Sequence, residues 1–286
     1  MTIAAEADDP MKGEAHPASA QPRQFIVTVY GLYSRTEGGW LSVASLISLL
    51  SDLGIDAPAV RSSISRLKRR GILQAERRDG AAGYALSDEG IAVLREGDHR
   101  IFRRQRATLA DGWLLAVFSV PESERSKRHL LRSRLARLGF GTASSGVHIA
   151  PAHLYDTTAE MLRRLELDGY ADLFRADHLA FQNLGDKVGQ WWDLGRLELH
   201  YGEFVQKHAA VPERAPGPPG RGGRDAFVDY VRVLTDWRQL PYLDPGLPQE
   251  LLPADWIGIR AADLFFTLQT RLESDARDYV TTSLAR

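Results

Sequence analysis

Residues 58–70, Pro-Ala-Val-Arg-Ser-Ser-Ile-Ser-Arg-Leu-Lys-Arg-Arg, interleave guanidinium groups with short hydroxyls, the side chains that meet phosphates and base edges together. On a helical wheel Val60, Ile64 and Leu67 recur at i, i+4 and i+7 and make one narrow apolar stripe. Ser62, Ser65, Arg66 and Arg69 fall on the opposite side, with Arg61 and Lys68 on one flank and Arg70 on the other. Segment 57–78 carries seven basic residues and one acidic residue, Glu76, in a chain whose net charge is only −1, so the charge is placed and not spread. Near the start of the helix, Arg61 and Ser62 are positioned for base edges, where an arginine bridges guanine O6 and N7, while Lys68, Arg69 and Arg70 suit phosphates. Arg77 and Arg78, a few residues on, are expected in the minor groove or on the backbone, which completes the expected DNA-binding set of Arg61, Ser62, Ser65, Arg66, Lys68, Arg69, Arg70, Arg77 and Arg78.

Other chemistries find little support. With no cysteine, disulfides, thiolate metal sites, zinc fingers and cysteine nucleophiles are excluded. There is no Gly-x-Ser-x-Gly elbow and no His-Glu-x-x-His, and the glycines of 217–223 lack a Gly-Lys-Ser/Thr ending and are broken by Pro218 and Pro219, so they read as a linker. His148, His153 and Asp156 have no second ligand pair beside them, and neither a metal nor a cofactor is expected. Arg125, Lys127, Arg128, Arg132, Arg134 and Arg137 have three open uses: the phosphates of a coenzyme A ligand, an extension of the DNA track, or a solvated face. Trp191, Trp192, Trp237 and Trp256 suit either an apolar core or an aromatic pocket.

Local patterns supply the elements that hold the basic face in place. Phe25, Val29 and Leu32 lie at helical spacing, so residues 24–33 read as helix despite their β-branched content. Ser42 is set to cap a helix over 43–53 that stops at Gly54; Asp56 caps the next, with Pro58 in its first turn and Gly71 at its end. Two short β-compatible runs, 72–77 and 84–86, flank a turn-rich loop at 79–83, and a helix follows from Ser87 to about Glu96. Three helices and a wing amount to a winged helix-turn-helix over residues 21–97, with 57–70 as recognition helix. Farther on, a strand at 113–120, a basic helix at 124–138, a strand at 147–150, a helix at 155–167 and a strand at 177–181 suit a small ferredoxin-like α+β domain. From Asp186 the pattern is helical, with a Pro- and Gly-rich loop at 211–223 and further helices at 227–237 and 261–272.

Charge follows the same division. Residues 1–150 hold 21 Lys and Arg against 16 Asp and Glu, residues 151–286 hold 15 against 21, and the asymmetry marks the first half as the nucleic-acid half. The opening residues, rich in Ala, Pro and acid, lack the order of a signal peptide and read as a disordered tail. No apolar run approaches the roughly 20 residues that span a bilayer, so a cytoplasmic protein with no membrane partner is expected.

The whole chain resembles the PaaX family of phenylacetic-acid degradation repressors. The resemblance rests on Trp40-Leu41, on Ala59-Val60-Arg61-Ser62 through Ser65-Arg66-Leu67-Lys68-Arg69-Arg70-Gly71, on Gly83-Tyr84-Ala85-Leu86-Ser87, on Arg100-Ile101-Phe102 and on Phe118-Ser119-Val120-Pro121-Glu122. It continues through Leu138-Gly139-Phe140-Gly141, Ile149-Ala150-Pro151, Trp192-Asp193-Leu194, Trp237-Arg238, Asp244-Pro245-Gly246-Leu247-Pro248 and Leu251-Leu252-Pro253-Ala254-Asp255-Trp256. One departure is His148, where the family has a tryptophan.

The resemblance implies a multi-domain α+β chain: a tail at 1–20, a winged helix at 21–97, a linker helix at 98–112, a ferredoxin-like (Cas2-like) domain at 113–185 and an α-helical C-terminal domain at 186–286. It implies no enzyme but a homodimeric repressor that binds double-stranded operator DNA and is released by an aryl-acyl-CoA such as phenylacetyl-CoA. The candidate effector residues are Arg128, Arg132, His148, Trp192 and Trp237. The alternative is a metal-dependent nuclease of the Cas2 kind. Against it, the first strand of the central domain ends Phe118-Ser119-Val120-Pro121, and its first carboxylate, Glu122, lies past the proline.

Overall fold

A computed structural model describes residues 17–35, 38–103, 106–179, 181, 183–211 and 222–285. The chain forms two compact units, one from Met1–His99, His208–Asp236 and Leu264–Arg286, the other from Arg100–Lys207 and Trp237–Asp263.

The first unit begins with α1 (Pro17–Val29), which runs into a single π turn at Tyr30–Ser34. The tail expected at 1–20 lies mostly outside the described residues, and from Pro17 the chain is already helical. Strand β1 (Trp40–Ser42) leads into α2 (Val43–Asp52), whose cap is Ser42: its Oγ accepts the Ser45 N–H at 2.9 Å. Asp56 caps α3 (Ala57–Arg69) in the same way, taking the Ala59 N–H at 2.7 Å, and Pro58 sits in the first turn, where a missing N–H leaves nothing unpaired. Gly71, at φ +72°, ends it.

Strands β2 (Leu73–Arg78) and β3 (Ala81–Leu86) make an antiparallel hairpin, and β1 pairs with the far side of β3 to give the order β1-β3-β2. The hairpin turn is two residues, Asp79 at φ 48° and Gly80 at φ 81°, the signs a right-twisted hairpin requires. The loop expected at 79–83 is therefore shorter, because Ala81, Ala82 and Gly83 lie in β3 opposite Arg78, Arg77 and Glu76. The next helix, α4 (Asp88–Phe102), starts where Ser87 Oγ accepts the Gly90 N–H, and it passes the expected end near Glu96. The separate helix expected at 98–112 is thus the end of α4, and the segment closes in a 3-10 turn at Leu109–Asp111.

In the second unit β4 (Trp113–Phe118), α5 (Arg125–Arg137), β5 (Gly141–Ser144), β6 (Val147–Pro151), α6 (Tyr155–Arg164) and β7 (Ala171–Ala176) build an antiparallel sheet ordered β5-β6-β4-β7. That β-α-β-β-α-β connectivity is the ferredoxin-like one. Two strands differ from expectation. Gly-Thr-Ala-Ser of β5 is too small and polar to signal a strand, and the last strand is 171–176, not 177–181, because an edge strand with Phe174 half exposed shows little alternation. Strand β4 serves two cores: Leu114 and Ala116 meet Leu131 and Leu135 of α5 and Met161 and Leu162 of α6, whereas Trp113 and Leu115 pack with Ile149, Val188, Trp191 and Trp192.

The rest is helical: α7 (Leu184–Trp191), α8 (Leu194–His208), α9 (Gly222–Trp237), the short α10 (Leu240–Leu243) and α11 (Ile257–Leu284), which is far longer than the expected 261–272. Most of the loop expected at 211–223 lies outside the described residues, and Gly222 and Gly223 already belong to α9. By contact these helices divide between the two units. In the first, Thr28 of α1 and Thr235 of α9 share a hydrogen bond of 2.7 Å, and Phe227 stands between Tyr33 and Tyr279 at ring distances of 5.8 and 5.7 Å. Among the described residues no helix is long and apolar enough to cross a membrane.

Candidate nucleic-acid interface

Helix α3 is held from behind. Val60, Ile64 and Leu67 are at most 2% exposed, and Ser63 is buried beside them, so the side facing away from the core is determined. On that side Arg61, Ser62, Ser65, Lys68 and Arg69 are exposed, and Arg66 and Arg70 are half exposed. Arg66, Lys68 and Arg69 fill the last turn, where cations also favour the negative end of the helix dipole. Seven side chains of the expected set thus share one helix and its end.

The two hairpin arginines part company. Arg77 is exposed, and its Nη2 donates to the Gly80 carbonyl at 2.8 Å, which aligns the side chain with the turn. Arg78 is engaged at the base of the sheet instead. Its Nε donates to Glu76 Oε1 at 2.6 Å, its Nη2 to the Gly38 carbonyl at 3.2 Å, and its guanidinium lies 5.5 Å from the Trp40 ring centre. Trp40 in turn donates from Nε1 to the Glu76 carbonyl at 3.2 Å and covers Gly83, where an added Cβ would collide with the indole. Sequence reasoning missed this bracket: Trp40 read only as a lead-in to α2 and Glu76 only as the lone acid. The available signal was Gly83, a residue without a side chain in the middle of a strand.

The five candidate effector residues do not gather at one place in the second unit. Arg128 is bound at the start of α5, Nη1 to Glu122 Oε2 and Nη2 to the Val120 carbonyl, both at 2.7 Å. His148 is buried on β6, its ring 5.2 Å from Phe118, and burial together with the positive charge of Arg132 pushes its pKa down. Trp192 donates to the Gly139 carbonyl at 2.8 Å and packs on Trp113 at 6.0 Å. Trp237 is fully buried, donates to the Ile101 carbonyl at 3.1 Å, and packs between Tyr201 and Phe204. The tryptophans are therefore core groups with their N–H satisfied, and of the five only Arg132 and His148 interact. Among the described residues no cluster of His, Asp and Glu is arranged to hold a metal, and Glu122 is committed to Arg128.

Three family models match the chain in order: the PaaX-like protein model over residues 21–90, the PaaX protein central Cas2-like domain over 106–188, and the PaaX-like protein C-terminal domain over 192–282. The chain belongs to the PaaX family. It is similar to the transcriptional repressor PaaX of Escherichia coli K12, with 26% identity over 272 residues that make up 93% of this chain and 85% of the relative. Among solved structures it resembles the uncharacterized protein Rv0674 from Mycobacterium tuberculosis, with a TM-score of 0.58, 25% identity, and coverage of 90% of this chain and 97% of that one. In PaaX-family terms α3 and the β2–β3 hairpin fall in the first matched segment and β4 to β7 in the Cas2-like one, a name that here describes a fold and not a nuclease.

Proposed function

We propose that this PaaX-family protein is a transcriptional repressor that reads operator DNA with α3, in the manner of a winged helix whose wing is the β2–β3 hairpin. The observation that carries the reading is the outward row of Arg61, Ser62, Ser65, Lys68 and Arg69 opposite a fully buried aliphatic stripe. In this reading Arg61 and Ser62 meet base edges, Arg66, Lys68, Arg69 and Arg70 meet phosphates, and Arg77 at the hairpin tip reaches the minor groove or backbone. Arg78 supports the wing through Trp40 instead of touching DNA.

The functional species is a two-fold dimer on an inverted repeat, with half-sites about 10 base pairs or a multiple apart. An aryl-acyl-CoA, phenylacetyl-CoA foremost, lowers occupancy by favouring the arrangement that does not fit the operator. A coupling of about 1–3 kcal/mol changes affinity roughly 5- to 150-fold. The cytoplasm, where the DNA is, is the expected location. The nuclease reading has no carboxylate to build on, since Glu122 is ion-paired.

Selection of the full-length protein on a pool of randomised duplexes tests the proposal. Enrichment of an inverted repeat, and its release by phenylacetyl-CoA but not by coenzyme A, is the expected result. Recovery of no preferred sequence, or metal-dependent cleavage of the pool, overturns it.

A further inference from the structure

Two helices of this protein, one in each unit, present the same five-residue design. In α3 the run is Ser65-Arg66-Leu67-Lys68-Arg69, and in α5 it is Ser133-Arg134-Leu135-Ala136-Arg137. The exposure pattern matches position by position: serine out, first arginine half covered, leucine at 0%, fourth residue out, last arginine out. Each leucine fixes its helix on a core, Leu67 in the first unit and Leu135 beneath the sheet of the second, and so determines which arginines face solvent.

The resemblance extends to charge. Helix α5 has six Lys and Arg plus His129 and no acidic residue in 13 positions, although its unit as a whole is close to neutral. Two of these cations have structural duties: Lys127 donates to Tyr170 Oη at 2.6 Å and to Glu124 at 3.3 Å, and Arg128 holds Glu122. Arg125 and Arg132 do not share them. They are exposed, and no carboxylate pairs with either among the described residues. Seven residues apart, they lie on the same side of the helix about 10 Å from each other, with His129 between them and Ser126 and Ser133 beside them. A stripe kept only for solubility has no reason to exclude acids over almost four turns, whereas a surface for polyanions does.

We propose that the outer face of α5 is a second duplex-binding surface, with Arg125 and Arg132 taking phosphodiester oxygens of the DNA that flanks the stretch read by α3. The inference rests on the DNA-binding reading of α3 and adds to it a contact without sequence preference. Hydroxyls and arginines without a groove-filling partner strand suit backbone oxygens, which every sequence presents alike.

The test uses the full-length dimer, two duplexes and a salt series. One duplex ends at the selected inverted repeat and the other continues about 10 base pairs beyond it on each side. For Arg125→Ala/Arg132→Ala the slope of log affinity against log salt on the long duplex is expected to fall by roughly two units. On the short duplex it stays that of the wild type, and the preference for the operator over a scrambled sequence is retained on both. Alanine favours helix, so an unchanged thermal midpoint shows that α5 remains folded. Arg132→Glu, introduced alone, deepens the loss on the long duplex. Slopes equal to wild type on both duplexes overturn the inference. So does loss of coenzyme A binding with unchanged DNA slopes, which assigns the stripe to small-molecule phosphates. If the wild type itself shows no operator preference, the α3 reading fails, and that outcome is distinct from either.

Discussion

The Asp52 carboxylate at the end of α2 accepts a hydrogen bond from the Arg224 guanidinium near the start of α9, Oδ1 to Nε, at 2.6 Å. Its other oxygen accepts from Tyr279 Oη of α11, also at 2.6 Å, so a single side chain fastens the helix before α3 to two helices from the far end of the chain. Arg232 adds a longer bond, 3.4 Å, from Nη2 to the Leu53 carbonyl. The pair holds Arg224 more firmly protonated and, with burial leading, pushes the Tyr279 hydroxyl up.

Asp52→Asn keeps the shape and removes the charge. Bonds to charged groups contribute about 1.5–3 kcal/mol when shielded. Arg224 is half exposed, so about 1 kcal/mol is expected here, seen as a fall of a few degrees in the unfolding midpoint. A double-mutant cycle with Arg224→Gln measures the coupling directly. A value indistinguishable from zero means the pair is a surface contact with no grip on α2.

The roles within α3 separate by their dependence on sequence and salt. Arg61→Ala is expected to relax preference at one base position at a cost of about 1–3 kcal/mol, because a bidentate base contact is lost. Arg69→Ala weakens all sequences alike and lowers the salt slope by about one unit, the signature of one released phosphate contact. Titrations of both variants on the operator and on a scrambled duplex decide, and equal losses with no change of preference reverse the assignment.

Acid lability is expected in the central domain. His148 and His153 both have folded pKa values pushed below the model-peptide value of 6.5, chiefly by burial, with Arg132 adding to the shift at His148 and Arg100 opposing Asp111 at His153. Above pH 6.5 both rings are neutral folded or unfolded and cost nothing. As pH falls below 6.5 the unfolded chain takes up protons first, and stability declines by at most about 1.4 kcal/mol per pH unit for each histidine until the folded-state pKa is passed. Urea unfolding at pH 7.5, 6.5 and 5.5 checks this. Substituting His148 by Gln is expected to flatten the pH dependence, and equal midpoints at 7.5 and 5.5 exclude the effect.

What was legible in the sequence was whatever rested on local backbone chemistry. Ser42, Asp56, Pro58 and Gly71 announced the limits of α2 and α3 because caps and stops act within four residues. Val60, Ile64 and Leu67 announced the buried side because helical periodicity survives in any context. What was not legible came from partners distant in sequence. The neutral Gly-Thr-Ala-Ser of β5 is a strand only because β6 pairs with it, and the division of the late helices between two units depends on contacts such as Thr28 with Thr235. The effector set failed for a related reason: tryptophan is equally suited to a pocket and a core, and only the Gly139 and Ile101 carbonyls show that Trp192 and Trp237 are core groups.

The wing has its own test in Gly83. This glycine needs no unusual φ; what it lacks is room, since a Cβ would run into the Trp40 indole and the Leu41 carbonyl on the adjacent strand. Gly83→Ala must displace the indole, and the Arg78 guanidinium that rests on it and on Glu76 moves as well. Overpacking of this kind costs about 1–3 kcal/mol. Gly80→Ala offers the contrast, because no atom lies within 4 Å of its added Cβ and only the positive φ of 81° is penalised. Introduced into the Gly83→Ala protein, Trp40→Phe opens space and is expected to recover part of the lost stability, whereas it gives Gly80→Ala nothing. Calorimetry on the four variants reads this directly, and no recovery by Trp40→Phe in the Gly83→Ala background means that the indole is not what the glycine makes room for.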